Sequence, residues 1–407
     1  MIQYNIHTLA NGLRIIHAPS PTQVVYCGYA IDAGTRDEAD NEQGLAHFVE
    51  HLIFKGTQKR RAWHILNRME HVGGDLNAYT NKEETVIYST FLAGHFSRAL
   101  ELMTDIVFHS TFPPHEIEKE VDVILDEIQS YEDTPSELIF DEFEEIVFKN
   151  HPLGRNILGD PERLKSFRTE DALRWVQKYY RPTNMVFFVQ GNIPFKKVVR
   201  EVEAATSDMP FMQTDKQRFS LPVYEPCRIV RRKDTHQAHV MLGSRSYPAF
   251  DERRTGLYLL NNLLGGPGMN SRLNVSLRER KGLVYTVESN LVSYTDTGTF
   301  SVYFGCDPKD VNTCIRLVRK ELRRLCEQPL SPAQLKAAQK QIIGQIAVAS
   351  DNFENQALDM GKTFLHYNKY ESQDAVFRRI EALTSEPLQQ IAREMFAEEQ
   401  LTTLLFE

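Results

Sequence analysis

Gly44-Leu45-Ala46-His47-Phe48-Val49-Glu50-His51-Leu52 places two imidazoles and a carboxylate at positions i, i+4 and i+3. On a helix turning about 100° per residue, Glu50 lies roughly 60° to one side of His47 and His51 about 40° to the other. All three therefore project from one face. Two neutral imidazoles so placed can bind one divalent cation, and zinc is the usual guest of nitrogen ligands. A carboxylate beside them, kept off the metal, can take a proton from water activated there. The order His47-x-x-Glu50-His51 is the inverse of the commoner His-Glu-x-x-His zinc motif. The competing reading is an amphipathic helix with histidines satisfied in the core, since Ala46, Phe48, Val49, Leu52 and Ile53 border the stripe. Three titratable groups in an apolar wall are costly, however, unless they pair or bind metal.

The elements around this stretch follow from hydrophobic period and turn residues. A first strand to Leu9, the turn Asn11-Gly12 and Leu13–His17 read as a hairpin, and Val24–Ile31 is a strand leading to the metal helix. A short helix over Trp63–Val72 ends at Gly73-Gly74, and Leu76–Thr80 and Glu84–Ser89 are strands. Phe91–Ser110 reads as a helix, followed by a long one from Glu116 to about Tyr131, with Ile117, Val121, Ile124, Leu125 and Ile128 as its apolar side. On it, Glu120 and Glu127 stand two turns apart on one face. A solvated acidic helix accounts for Glu116 and Glu118, but less well for Glu127, flanked by Leu125 and Ile128. Further helices and the strand Met185–Gly191 close an α+β domain.

The pattern then restarts. Residues 206–222 are polar and proline-bearing and read as a linker between a domain at 1–205 and another at 223–407. Setting Gly44-Leu45 on Gly256-Leu257, an offset of 212, puts Leu259, Asn262 and Leu263 where His47, Glu50 and His51 stand. Pro114–Ile128 matches Pro332–Ile346 at an offset of 218, with Glu120 on Ala338 and Glu127 on Gln345. Two copies of one domain are implied, the second degenerate. The polar set is then not needed to build the fold.

Bulk composition sets the frame. The 407 residues, 42% hydrophobic and 25% charged, suit a globular protein with a large core. A net charge of −8 speaks against general nucleic-acid binding. No apolar run approaches the length of a membrane span. Met1–His7 lacks a basic region followed by an apolar one, so no secretory signal and a cytoplasmic location are expected. Five scattered cysteines without a Cys-x-x-Cys pair read as reduced thiols.

Four blocks together carry a family likeness: Gly44 to Thr57; Gly73-Gly74-x-x-Asn77-Ala78-x-Thr80; Val123-Ile124-Leu125-x-Glu127-Ile128; and Ser271-Arg272-Leu273 through Leu277-Arg278-Glu279-x-x-Gly282-Leu283-x-Tyr285. They resemble the pitrilysin/insulysin superfamily of inverted-motif zinc peptidases. They are most similar to its short-chain branch of bacterial homodimeric peptidases and the mitochondrial processing peptidase beta subunit. The resemblance implies two homologous domains, each an antiparallel-rich sheet packed with helices, forming one half of a clamshell. It implies one Zn2+ per chain held by His47, His51 and Glu127, with Glu50 as general base and Glu120 supporting a ligand. Asn77 and Ala78 would lie on an edge strand that pairs with a peptide substrate. Arg278 and Tyr285 would face a zinc site and stabilise the oxyanion and the bound peptide. A homodimer would then complete each site with the partner subunit's Arg278 and Tyr285, enclosing unfolded peptides. Pairing with a degenerate homologue, a non-catalytic core or scaffold subunit of the same fold, and a peptidase specific for one precursor remain as alternatives. The loop Leu263-Leu264-Gly265-Gly266-Pro267-Gly268-Met269 reads as a hinge or substrate-side loop, and no Lys-Ser/Thr follows to make it a phosphate loop.

Overall fold

The computed structural model describes residues 4–233 and 235–407. They fall into two compact units that are not contiguous in sequence. The first consists of the chain up to Gln129, Arg155–Ser220 and Ser350–Ser372; the second of Ser130–Gly154, Leu221–Ala349 and Gln373–Glu407.

The first unit is built on β1 (Asn5–Thr8), β2 (Arg14–Pro19), β3 (Val24–Ile31), β4 (Asp75–Thr80), β5 (Thr85–Leu92) and β6 (Met185–Gly191), in the order β1-β2-β6-β3-β5-β4. Only β2 and β6 run parallel. β6 is apolar almost throughout and buried along its whole length, as a strand covered on both faces must be. One face carries the helices Leu45–Leu52, Phe96–Phe108, Thr169–Tyr179 and Phe195–Ala205, whose Phe48, Leu100, Trp175 and Val198 enter the main core. The other face is closed by the helix Phe353–Tyr367, which lays Ala357, Met360 and Phe364 on Ile16, Ala30, Val186 and Phe188. Burial of each large side chain there contributes roughly 1.5–3 kcal/mol.

The second unit repeats this plan. Its strands β7 (Arg228–Arg231), β8 (Ala238–Ser246), β9 (Val284–Ser293), β10 (Gly298–Cys306) and β11 (Thr402–Phe406) are ordered β7-β11-β8-β10-β9, with β7 and β11 the one parallel pair. That is the order of the first sheet without β1. Helices Arg254–Gly265, Val311–Glu327 and Ser385–Phe396 cover one face. The other is closed by Pro135–Val147, with Leu138, Ile139 and Phe143 against Met241, Tyr303 and Leu404.

The two-domain α+β architecture with mixed sheets is the one the sequence implies, but the units do not coincide with 1–205 and 223–407. The closing helices start at Pro135 and Phe353, the same offset of 218 that relates Pro114 to Pro332. Each closes the sheet formed mainly by the other half of the sequence. Periodicity says that a helix has an apolar stripe and not which sheet receives it. The segment read as a linker is also fastened down. Arg181 donates to Gln213 O at 2.9 Å, Lys216 pairs with Asp32 at 2.7 Å and Arg218 with Glu83 at 3.1 Å. The expected helix over Phe91–Ser110 is shorter, because β5 runs to Leu92 and the helix starts at Phe96. No helix among the described residues is long and apolar enough to cross a membrane, and the five cysteines are free thiols.

Candidate metal centre

Helix Leu45–Leu52 follows Gly44, which is left-handed at φ 93° and lies so close to Gly159 that a Cβ would sit 2.8 Å from its Cα. Glycine is needed there on both counts. The helix turns Leu45, Ala46, Phe48, Val49 and Leu52 into the core, and His47, itself buried, shares the other face with Glu50 and His51. The His47 and His51 rings are 4.6 Å apart. Helix Pro114–Glu132 anchors itself through Ile117 and Ile124 and brings two carboxylates to the same place. Glu127 Oε2 is 3.9 Å from His47 Nε2 and 3.6 Å from His51 Nε2. Among the described residues this is the one group of three such side chains whose ligand atoms lie within 4.8 Å of one another.

The donor set fits zinc. Tetrahedral ligands at zinc-to-nitrogen and zinc-to-oxygen distances stand about 3.3 Å apart, and Glu127 Oε2 lies 3.6 and 3.9 Å from the two histidine Nε2 atoms, so the set must draw together around an ion. Burial, with the neighbouring His51, pushes His47 down to about 3, so its ring is neutral with a lone pair to donate. His51 Nδ1 is 3.2 Å from Glu120 Oε2, which leaves its Nε2 facing Glu127. Burial pulls His51 down, but the Glu120 bond and the charges of Glu50 and Glu127 bring it above its ordinary value. Glu120 is itself fixed by Lys55, whose Nζ is 2.6 Å from Oε1. Burial raises its carboxyl, and the bonds from His51 and Lys55 outweigh that and hold it low.

Glu50 stands apart from this set. Its Oε2 is buried with no hydrogen-bond partner among the described residues. Burial raises its carboxyl, opposed by hydrogen bonds from Thr80 at the end of β4. A carboxyl raised in this way is better suited to accept and return a proton than an ordinary one. The Tyr180 hydroxyl lies close enough to feel the Glu50 charge, which adds to burial in raising it. Nothing in the sequence singles out Tyr180. Thr80 and Lys55 stand inside the quoted motifs, yet spacing gives neither of them a role.

Asn77 and Ala78 lie on β4, an edge strand paired only with β5, opposite Tyr88 and Ile87. Arg278 and Tyr285 belong to the second unit. Arg278 lies in the last turn of the helical segment Asn274–Glu279, and Tyr285 stands 80% exposed on the edge strand β9. The guanidinium lies 5.6 Å over the tyrosine ring. Both line a cavity of about 500 Å3 that also takes in Gly265, Pro267, Asn261 and Ser271. The Asn261 Oδ1 and Ser271 Oγ atoms are buried there without partners among the described residues.

Solved structures share this fold over the whole chain. A protease from Helicobacter pylori superposes with a TM-score of 0.91 at 22% identity, covering 100% of both chains. A peptidase M16 inactive domain from Pseudomonas fluorescens gives 0.92 at 17% identity, over 100% of this chain and 98% of that one. At these identities the likeness speaks for the fold. Sequence comparison goes further. The family described as Insulinase (Peptidase family M16) matches residues 14–161, and the Peptidase M16 inactive domain matches 166–342. An uncharacterized zinc protease of Bacillus subtilis, YmxG, is 32% identical over 98% of this chain and 97% of its own length. One from Rickettsia bellii is 31% identical over 97% and 95%. The chain belongs to peptidase family M16, within the pitrilysin/insulysin superfamily.

Proposed function

We propose that this chain is a zinc-dependent endopeptidase of unfolded peptides, with one zinc held by His47, His51 and Glu127 and with Glu50 as general base. The observation that carries the reading is the convergence of two Nε2 atoms and one carboxylate within 4.8 Å, with the unpartnered Glu50 Oε2 on the same helix face. Zinc there supplies Lewis-acid polarisation of water and of a scissile carbonyl. Glu50 takes the proton at Oε2 and returns it to the leaving amine, with Thr80 orienting it. Glu120 and Lys55 hold the His51 ring in the ligating orientation. The outer edge of β4 at Asn77 and Ala78 offers backbone groups to an extended peptide.

The second element of the proposal is a homodimer. In it the partner subunit's Arg278 and Tyr285 complete each site, the tyrosine donating to the oxyanion. Support comes from the presence of both residue sets in one chain and from the exposure of Tyr285 in its own unit. The complete polar set of the first unit weighs against a purely scaffolding subunit, and the names of the relatives agree with a protease.

The test is hydrolysis of a mixed peptide library by purified protein, with chelator and with zinc restored. Cleavage should be lost on chelation, return with zinc, and fall by about 10²–10⁴ in Glu50→Gln while zinc content is kept. Cleavage that survives in Glu50→Gln sinks the assignment of the base; absence of zinc sinks the metal site. Mixing Glu50→Gln with Tyr285→Phe protein tests the dimer. Half the re-formed dimers would carry one intact site out of two, giving about a quarter of wild-type activity. A mixture no better than its parents rules out completion in trans.

A further inference from the structure

A helix that presents metal ligands must itself be held, and Leu45–Leu52 has only eight residues, too few to be stable alone. Its N-cap is Gly44, which has no side chain to accept from the first-turn amides. The closeness of Gly159 forbids a serine or aspartate there. The cap comes from elsewhere. Glu38 Oε2 accepts from the Gly44 N–H at 3.1 Å, and Oε1 from the Ala46 N–H at 2.9 Å. Glu38 is 1% exposed and meets the positive end of the helix.

The turn carrying Glu38 is clamped to the other wall of the site. Thr35 and Arg36 N–H groups donate to Asn81 O at 3.2 Å and Lys82 O at 2.8 Å, and Arg36 Nη1 to Glu83 Oε1 at 2.6 Å. Arg155 Nη1 donates to Glu38 O at 2.7 Å. Asn81–Glu83 follow directly on β4, whose last residue, Thr80, holds Glu50. One short turn therefore ties the ligand-bearing helix to the edge strand.

The degenerate copy holds its counterpart helix differently. At the offset of 212, Glu38 falls on Phe250, which is 56% exposed. The counterpart helix there runs for twelve residues and starts at Arg254, two before Gly256. There the N-cap amide, Arg253 N–H, donates to Asp251 Oδ1 at 2.8 Å, a carboxylate two residues away in sequence.

We propose that Glu38 is a positioning residue for the zinc site: it caps the ligand helix and sets His47 and His51 relative to β4. This rests on the metal-site reading above. The test uses the full chain with Glu38→Gln, which is isosteric but turns an amide NH2 towards a backbone N–H, and Glu38→Ala. Three quantities are read: zinc affinity against a chromogenic chelator, hydrogen exchange of residues 44–52 in metal-free protein, and kcat and KM at saturating zinc. Expected are faster exchange over 44–52, zinc binding weakened by about 10–100-fold, and a fall in kcat larger than any change in KM. Glu38→Gln should lie between wild type and Glu38→Ala, and it carries the test where the alanine variant fails to fold. A Glu38→Gln protein that melts lower but binds zinc and turns over like wild type overturns the proposal, as does unchanged exchange. His51→Ala serves as control. If it binds zinc as tightly as wild type, the metal-site reading fails, and the exchange data alone decide whether Glu38 caps the helix.

Discussion

The two units share a strand order, a parallel pair in the same place and matching helices, and they differ where chemistry would reside. The first has His47, Glu50, His51, Glu120 and Glu127; the second has Leu259, Asn262, Leu263, Ala338 and Gln345. Leu259 and Ala338 are ordinary core residues, 1% and 6% exposed. At the matching positions the first unit leaves His47 Nδ1 and Glu50 Oε2 buried without partners among the described residues. One frame thus tolerates both an apolar filling and a polar one that costs free energy. Residues that break local consistency on a scaffold that does not need them mark function. The second unit is not featureless either: its polar cavity carries Arg278 and Tyr285. The duplicated frame carries a candidate metal centre in one copy and a cationic and hydroxyl pair in the other.

The comparison can be broken most directly by making the first unit resemble the second. The triple variant His47→Leu, His51→Leu, Glu127→Gln should bind no zinc and cleave no peptide. Its unfolding midpoint in chelator should be no lower than that of metal-free wild type, because apolar replacement of buried ionisable groups is commonly neutral or stabilising. Glu120 keeps Lys55 and Glu50 keeps Thr80 in this variant. Thermal unfolding with chelator, together with metal analysis, decides it. A clearly lower midpoint would show that the polar set helps to build the first unit.

Much of this contrast is legible in the amino-acid sequence itself, and the limits are physical. The i, i+3, i+4 spacing places His47, Glu50 and His51 on one face because a helix fixes that geometry locally. Glu127 lies 76 residues beyond His51, and only the helix repeat and the family likeness pick it from among its acidic neighbours. Lys55 and Thr80 acquire roles through tertiary contacts that no spacing encodes. Glu38 reads as one more charge in an acidic turn until its carboxylate is seen on two backbone amides. Domain division fails to follow composition for a related reason. Residues 206–222 look like a linker, but Lys216 and Arg218 find the buried carboxylates of Asp37 and Glu83, and the closing helices settle on the sheets of the opposite halves.

A smaller effect sharpens the picture of how the polar set is held. Glu120→Gln keeps the shape but loses the charge that Lys55 and His51 share, and should weaken zinc binding by about 10–100-fold. Lys55→Met should act in the same direction and less strongly, since the Glu120 contact to His51 survives. Competition with a chelator measures both. Wild-type affinity in Glu120→Gln would leave His51 positioned by its own helix alone.

The smallest expected difference concerns the two closing helices. His366 on Phe353–Tyr367 has Nε2 3.2 Å from Glu84 Oε2 and Nδ1 3.9 Å from Asp32. At the offset of 218 its counterpart is Phe148, whose ring packs on Tyr294 and under the Arg245 guanidinium. One helix is fastened by a titratable pair and the other by a ring. Burial pulls His366 down, but the bond to Glu84 and the charges of Glu84, Asp32 and Glu83 raise it above 6.5. Burial raises Glu84, and His366 with Asn81 and Lys362 more than offsets that, taking it below 4.5. A raised histidine stabilises fully below its unfolded value and ceases to do so as pH rises through the folded one. A lowered carboxylate stabilises above its unfolded value and ceases to do so as pH falls through the folded one. The pair therefore contributes most between pH 4.5 and 6.5. Its size is about 1–3 kcal/mol, as for hydrogen bonds to charged groups. His366→Phe copies the second unit and should remove that dependence. In denaturant unfolding of metal-free protein across pH, the gap between wild type and variant should be widest in that window and narrow on the alkaline side. Parallel curves would mean that both helices are held by packing alone.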